Sequence, residues 1–270
     1  FDILGTAENK YPSLTGYIGE PTINIAIMLL IIVGGIGFLT WDDIYTNKWH
    51  FKKYRMQSKV ILVTTAILII APAVFFFFCD FMGLPLGERI LASLFQSVTP
   101  RTAGFNTAAL PAMTGSSKAI MILLMLVGGS PGSTAGGMKT TTFAVLILSA
   151  FSVCRKKNDA EVYGRRIDGS TVKNAVTVAV MYFLLFFIGG IVISTAEGLP
   201  LSTCLYETAS AVGTVGLTLG ITPQLGILSQ IILIVLMYLG RVGGLTLVYA
   251  AISNKNQSVA KLPLENITVG

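Results

Sequence analysis

The chain has 270 residues, of which 53% are hydrophobic and only 12% charged, and its mean hydropathy is +0.74. Soluble globular domains devote about a quarter of their residues to charge, so this composition excludes them and marks an integral membrane protein. The net charge of +6 gathers in two loops and needs no nucleic acid to account for it.

In chain order, a polar stretch of about 20 residues beginning Phe1-Asp2 precedes the first apolar run. Its start without a charged-then-apolar leader reads as the later part of a longer protein. Runs of about 18 or more apolar residues are long enough to cross a ~30 Å hydrocarbon core. Five are expected, at 23–40, 60–79, 119–153 with an interruption, 171–195 and 225–253. Between the first and second lie Lys48, Lys52, Lys53, Arg55 and Lys59, with the only histidine, His50. Between the third and fourth lie Arg155, Lys156, Lys157, Arg165, Arg166 and Lys173. By the positive-inside rule both loops are expected to be cytoplasmic. The opposite loops carry Asp80, Glu88 and Glu197, with Arg89, Arg101 and Lys118 as a basic minority. Cys79, Cys154 and Cys204 stand apart with no histidine partner, so neither a disulfide nor a metal role is expected.

Two segments fit neither span nor loop. Residues 86–98 and 199–212 have apolar positions at helical spacing, yet at about 13 residues, roughly 20 Å of helix, they are too short to cross. Each runs into a glycine turn, Thr102-Ala103-Gly104-Phe105 in one case and Thr214-Val215-Gly216-Leu217 in the other. Gly104 precedes Gly128-Gly129 by 24 residues, and Gly216 precedes Gly240 by the same 24. The unit is therefore span, re-entrant helix, glycine turn and span, present twice, at 60–153 and 171–253. The first span, with Gly34-Gly35-Ile36-Gly37, reads as the closing helix of an earlier copy. Both complete copies run the same way across the membrane, which favours a ring around one axis rather than the inverted repeats of many alternating-access transporters.

Glycine frees the backbone to aim successive carbonyls at an ion, and the re-entrant helices would point their negative C-terminal ends at it. Thr102, Ala103, Gly104, Phe105, Gly213, Thr214, Val215, Gly216 and Leu217 are the candidate filter. The stretch Gly128-Gly129-Ser130-Pro131-Gly132-Ser133-Thr134-Ala135-Gly136-Gly137 interrupts the third span, because proline and glycine cost about 3 and 1 kcal/mol in a helix interior. It is expected to form a movable constriction below the filter. It nearly matches a phosphate-binding loop, but Met138 stands where lysine is required. Lys139 follows it, and Arg241 lies inside the last span, where insertion of a central arginine costs about 2.5–3.5 kcal/mol unless it faces a cavity. Lys139 and Arg241 complete the candidate gate. Glu207, on the second re-entrant helix, is expected to anchor that helix by hydrogen bonding.

Thr99-Pro100-Arg101-Thr102-Ala103-Gly104-Phe105-Asn106 resembles the third filter of the superfamily of K+ transporters that includes TrkH, KtrB and HKT. Gly213-Thr214-Val215-Gly216-Leu217-Thr218 resembles its fourth filter, 128–139 its intramembrane gating loop and Gly240-Arg241 its pore arginine. The Gly-Arg-Val-Gly-Gly-Leu-Thr form and the short tail are most similar to the KtrB branch. The resemblance implies an all-α membrane protein of repeated span, pore-helix, filter-loop and span units around one K+-channel-like pore. It divides the chain into the end of a second repeat (1–45), a basic loop (46–59), a third repeat (60–153), a second basic loop (154–170), a fourth repeat (171–253) and a tail (254–270). Phe1 would then be the last residue of the second filter. The first repeat and most of the second would be absent.

It further implies that the complete protein takes up K+ across the plasma membrane and is not an enzyme. K+ would be the transported ion, with no organic cofactor on this chain. The expected partners are membrane lipid, a second copy in a homodimer, and a cytosolic ring of nucleotide-binding RCK subunits of KtrA or TrkA type. A secondary transporter of another fold, and K+ flux coupled to Na+ or H+, remain the alternatives.

Overall fold

The computed structural model describes residues 13–48, 50–157 and 159–243. Its helices are α1 (Pro21–Ile36), α2 (Phe38–Asn47), α3 (Met56–Cys79), α4 (Leu86–Val98), α5 (Gly115–Leu126), α6 (Thr140–Cys154), α7 (Gly169–Glu197), α8 (Leu201–Val212) and α9 (Ile227–Val242). A two-residue hairpin, β1 (Glu161–Val162) with β2 (Arg165–Arg166), pairs Glu161 with Arg166 inside the second basic loop. The chain is thus an all-α membrane protein.

The expectation of five spans is corrected in its details. Among the described residues only α3 and α7 are each long and apolar enough to cross alone. The run at 23–40 breaks at Gly37, where α1 and α2 meet at 97°. Gly37 has φ 90°, and a β-carbon there would sit 2.5 Å from the carbonyl oxygen of Pro131. The bend is therefore imposed by the close approach of another segment. The run at 119–153 divides into α5 and α6 around the non-helical segment 127–139. In the last run α9 ends at Val242, and residues 244–253 lie outside the described ones, as does Phe1.

The two short segments are helices where the apolar spacing marks them. α4 covers Leu86–Val98, and α8 begins at Leu201, two residues later than expected, because Gly198 and Pro200 form the turn that enters it. α4 packs on α3 and α1, while α8 packs on α7, α9 and α5. Each short helix therefore sits between the long helix of its own unit and the closing helix of the unit before. α6 lies against both α3 and α7 and so joins the units. Where they meet, Phe76, Ala92, Met121, Met125, Phe186, Tyr206 and Ala209 form one buried apolar core. Val215 and Leu217 contribute to it from the loop after α8.

One clamp closes both units at the end opposite the basic loops. The carboxylate of Asp80, at the end of α3, accepts from Thr114 N at 2.8 Å and from the hydroxyl of Ser117, at the start of α5. The carboxylate of Glu197, at the end of α7, accepts from Gly226 N at 2.9 Å and from Ser229 Oγ at 2.5 Å, at the start of α9. Each supplies an acceptor for helix amides that have no partner within their own helix, and each puts negative charge at a positive helix end. Replacing Asp80 or Glu197 by Ala is expected to lower stability by about 1–2 kcal/mol. Thermal unfolding of the detergent-solubilised complete protein checks this.

Candidate cation filter and gate loop

The turns after α4 and α8 have the same unusual backbone. Thr102 and Gly104 have φ of 66° and 81°, and Thr214 and Gly216 have φ of 53° and 92°. Ala103 and Val215 between them keep negative φ, so the sign of φ alternates along each turn. Such alternation turns successive carbonyls toward one side of the chain. For a threonine the left-handed conformation costs about 1–2 kcal/mol, which packing has to offset.

Amides of these turns are drawn back to the helix ends, three in the second copy and one in the first. Thr214 N donates to Ala211 O, and Val215 N to Ser210 O. Gly216 N donates to Ser210 Oγ at 3.1 Å. In the first copy Ala103 N donates to Thr99 O at 3.2 Å, and the hydroxyl of Thr99 donates to the carbonyl of Phe105. Among the described residues none donates to the carbonyls of Thr102, Ala103, Gly104, Thr214, Val215 or Gly216. In the second copy the donors are consumed and acceptors remain, and in both copies the free carbonyls follow the negative ends of α4 and α8. An arrangement of this kind offers oxygen to a cation. The two strands touch, since a β-carbon on Gly104 would lie 2.3 Å from the Val215 carbonyl oxygen.

Segment 127–139 lies directly against the second strand. A β-carbon on Gly136 would sit 2.1 Å from Thr214 Oγ1. The segment is held from three helix ends, each with carbonyls left over after its last turn. At the end of α5, Met138 N donates to Leu126 O and Gly128 N to Met138 O. At the end of α1, Ser130 N donates to Gly35 O at 2.9 Å, and Phe38 N beyond the bend donates to Gly132 O at 3.2 Å. At the end of α9, Gly137 N donates to Gly240 O at 3.3 Å. Two cations complete the set. Arg241 Nη1 donates to Thr134 O at 2.7 Å, and Lys139 Nζ folds back to Ala135 O at 2.6 Å. A cavity of about 780 Å³ runs beside the second strand from Arg241 to Thr222 and Pro223.

The structure thus brings Gly128 to Gly137, Lys139 and Arg241 together with Gly213 and Thr214, and brings Gly104 against Val215. Phe105 is half-buried beyond the first turn. Arg101 does not belong with the basic minority of the opposite loops. It is 5% exposed, with Nη2 3.5 Å from Thr65 Oγ1 of α3. Pro100 and the turn that follows fold its side chain inward, behind the filter, where the linear sequence shows only a charge near a span end. Sequence reasoning also missed the carbonyls of Gly34, Gly35 and Gly240 as acceptors for the loop. A helix break leaves no residue-type signal for the partner of its last carbonyls. Among the described residues no three His, Cys, Asp or Glu side chains gather to hold a metal ion.

This combination of re-entrant helices, paired backbone turns and an interrupted span defines a class of membrane cation-transport fold. The fold is similar to the solved structure of the potassium transporter TrkH from Vibrio parahaemolyticus. The TM-score is 0.72 at 19% identity, over 93% of this chain and 55% of that one. The family profile described as TrkH, cation transport protein, matches residues 5–260. The chain belongs to the TrkH family, whose members are cation transporters and not enzymes. It is 37% identical to the potassium/sodium uptake protein NtpJ of Enterococcus hirae, over 100% of this chain and 61% of that protein. It is 34% identical to the Ktr system potassium uptake protein B of Bacillus subtilis, over 92% of this chain and 57% of that protein. The chain therefore spans about three fifths of the length of these relatives.

The contacts of the two glycines predict unequal costs. In Gly104→Ala the new methyl meets backbone that cannot yield and the conformation is left-handed, so a loss of about 2 kcal/mol or more is expected. In Gly136→Ala it meets a threonine side chain that can rotate, and the loss should be about half that or less. Thermal unfolding of both variants of the complete protein, side by side, measures the difference.

Proposed function

We propose that the complete protein takes up K+ across the plasma membrane through a filter of backbone carbonyls. Residues 102–105 and 213–217 are the third and fourth strands of that filter. The observation that carries this reading is the alternating backbone of the two turns, with carbonyls at 102–104 and 214–216 that accept from none of the described residues. K+ is then the transported ion, coordinated by carbonyl oxygens that replace its water. Units 60–153 and 171–253 are the third and fourth repeats, and 1–45 is the end of the second. The basic loops at 46–59 and 154–170 and the tail at 254–270 face the cytoplasm, by the positive-inside rule.

Segment 128–137 is the gate. Arg241 and Lys139 hold it shut by donating to its carbonyls, and their charge raises the barrier to a cation below the filter. Partners follow from the relatives. One is named as a component of a Ktr system, which supports association with RCK-type regulatory subunits on the basic loops, and a homodimer. The name of another includes sodium as well as potassium, which favours Na+ as a second transported ion.

Replacing Arg241 by Ala removes a hydrogen bond from a charged donor, worth about 1.5–3 kcal/mol. Rb+ leak into proteoliposomes containing the complete protein is therefore expected to rise about tenfold or more. Unchanged or reduced leak in a folded variant contradicts the gate. Gly216→Ser, which adds a β-carbon at a positive φ, should lower the preference for K+ over Na+ in the same assay, and an unchanged preference contradicts the filter.

A further inference from the structure

Glu207 stands in the middle of α8 and is 4% exposed. Its carboxylate faces the chain that leaves the fourth filter strand. One oxygen accepts from Thr218 Oγ1 at 2.6 Å and from Leu219 N at 3.0 Å, and the other accepts from Thr222 Oγ1 at 2.9 Å. Thr218 Oγ1 in turn accepts from Gly220 N at 2.9 Å. A closed network therefore ties 218–222 to the helix behind it. Leu217, which connects this network to Gly216, is itself buried at 1% exposure. The strand is thus pinned at its inner end by Ser210 and at its outer end by Glu207.

The first copy has no counterpart. Counted from the filter glycine, the position of Glu207 is occupied there by Phe95 and that of Thr218 by Asn106. Asn106 Nδ2 donates to Ala108 O, and Asn106 N donates to Ser13 Oγ at 3.1 Å. Of the described buried carboxylates, Asp43 is the other, and it pairs with Arg55 and Ser58 on α2 and α3, far from the filter in the chain. Glu207 makes no ion pair among the described residues.

We propose that Glu207 is a positioning residue for ion discrimination. Through Thr218, Leu219 and Thr222 it fixes the outer half of the fourth strand, so that its carbonyls hold the spacing a larger cation needs and do not close around a smaller one. This rests on reading 213–217 as a cation filter. Loss of the clamp lets the strand relax toward the smaller ion, so the choice between ions falls before the capacity to move them.

The test is competition of K+ and Na+ against Rb+ uptake in proteoliposomes containing the complete protein. Wild type, Glu207→Gln, Thr222→Val and Glu197→Gln are compared. Glu207→Gln and Thr222→Val should each lower the K+ over Na+ preference, by about tenfold for Glu207→Gln. Glu197→Gln, which breaks a clamp between helices away from the filter, should lower thermal stability and leave the preference unchanged. A selective wild type with unchanged preference in folded Glu207→Gln overturns the inference alone. If Glu207→Gln does not fold, an unchanged preference in Thr222→Val overturns it, since valine keeps the volume and removes the hydroxyl that bonds Glu207 and Thr218. An equal loss in Glu197→Gln also overturns it, because general destabilisation then accounts for the effect. A wild type with no cation uptake overturns the proposed function, and this inference with it.

Discussion

Backbone that leaves the helix at membrane depth has to find its hydrogen-bond partners inside the protein, because lipid offers none. The arrangement around 127–139 is a solution to that constraint. α1, α5 and α9 end at this segment, and every helix end leaves carbonyls without partners. The amides of Ser130, Gly137 and Met138 take up carbonyls of Gly35, Gly240 and Leu126. The loop and the helix ends therefore satisfy one another. The same convergence explains the cations. Helix C-termini carry partial negative charge, and Arg241 and Lys139 stand where three of them meet. An arginine that would be costly alone in a span is here within reach of a carbonyl that accepts from it, at Thr134.

The turns after α4 and α8 answer the same constraint in the opposite sense. In the second turn the amides of 214–216 are satisfied by the helix end behind them, and in the first that of Ala103 is, while Val215 and Leu217 bury their side chains in the core. Carbonyls are what remains. In the proposed filter, affinity for cations would come from backbone placement, without any acidic side chain. It is correspondingly sensitive to whatever holds the backbone, and Ser210, the mutual contact of Gly104 and Val215, and the bond from Thr99 to the Phe105 carbonyl do so.

The two units share their plan and differ in their fastenings. Asp80 and Glu197 perform one task in both, joining the end of a long helix to the start of the closing one. Behind the two glycine turns the copies diverge, with an apolar Phe95 in one and the hydrogen-bonded Glu207 in the other. The duplication preserves what any such unit requires, which is helix entry and return, and leaves the strand-specific contacts free to differ. A ring made of unlike strands can thereby place unequal restraint on an ion from different sides.

Apolar run length, glycine content and charge placement determined the membrane class, the short helices expected at 86–98 and 199–212 and the interruption between α5 and α6. These are local properties: burial of apolar area, helix propensity and the cost of proline and glycine act within a few residues of chain. The bend at Gly37, the inward turn of Arg101, the left-handed conformations of Thr102 and Thr214 and the acceptors of segment 127–139 were not legible there. Each depends on a segment distant in sequence, such as Pro131 against Gly37, or Gly136 against Thr214. The sequence by itself named the residues of the turns and of the loop. Only the tertiary structure decided which backbone groups face one another, because a carbonyl has no residue type, and its partner is chosen by the packing of helix ends.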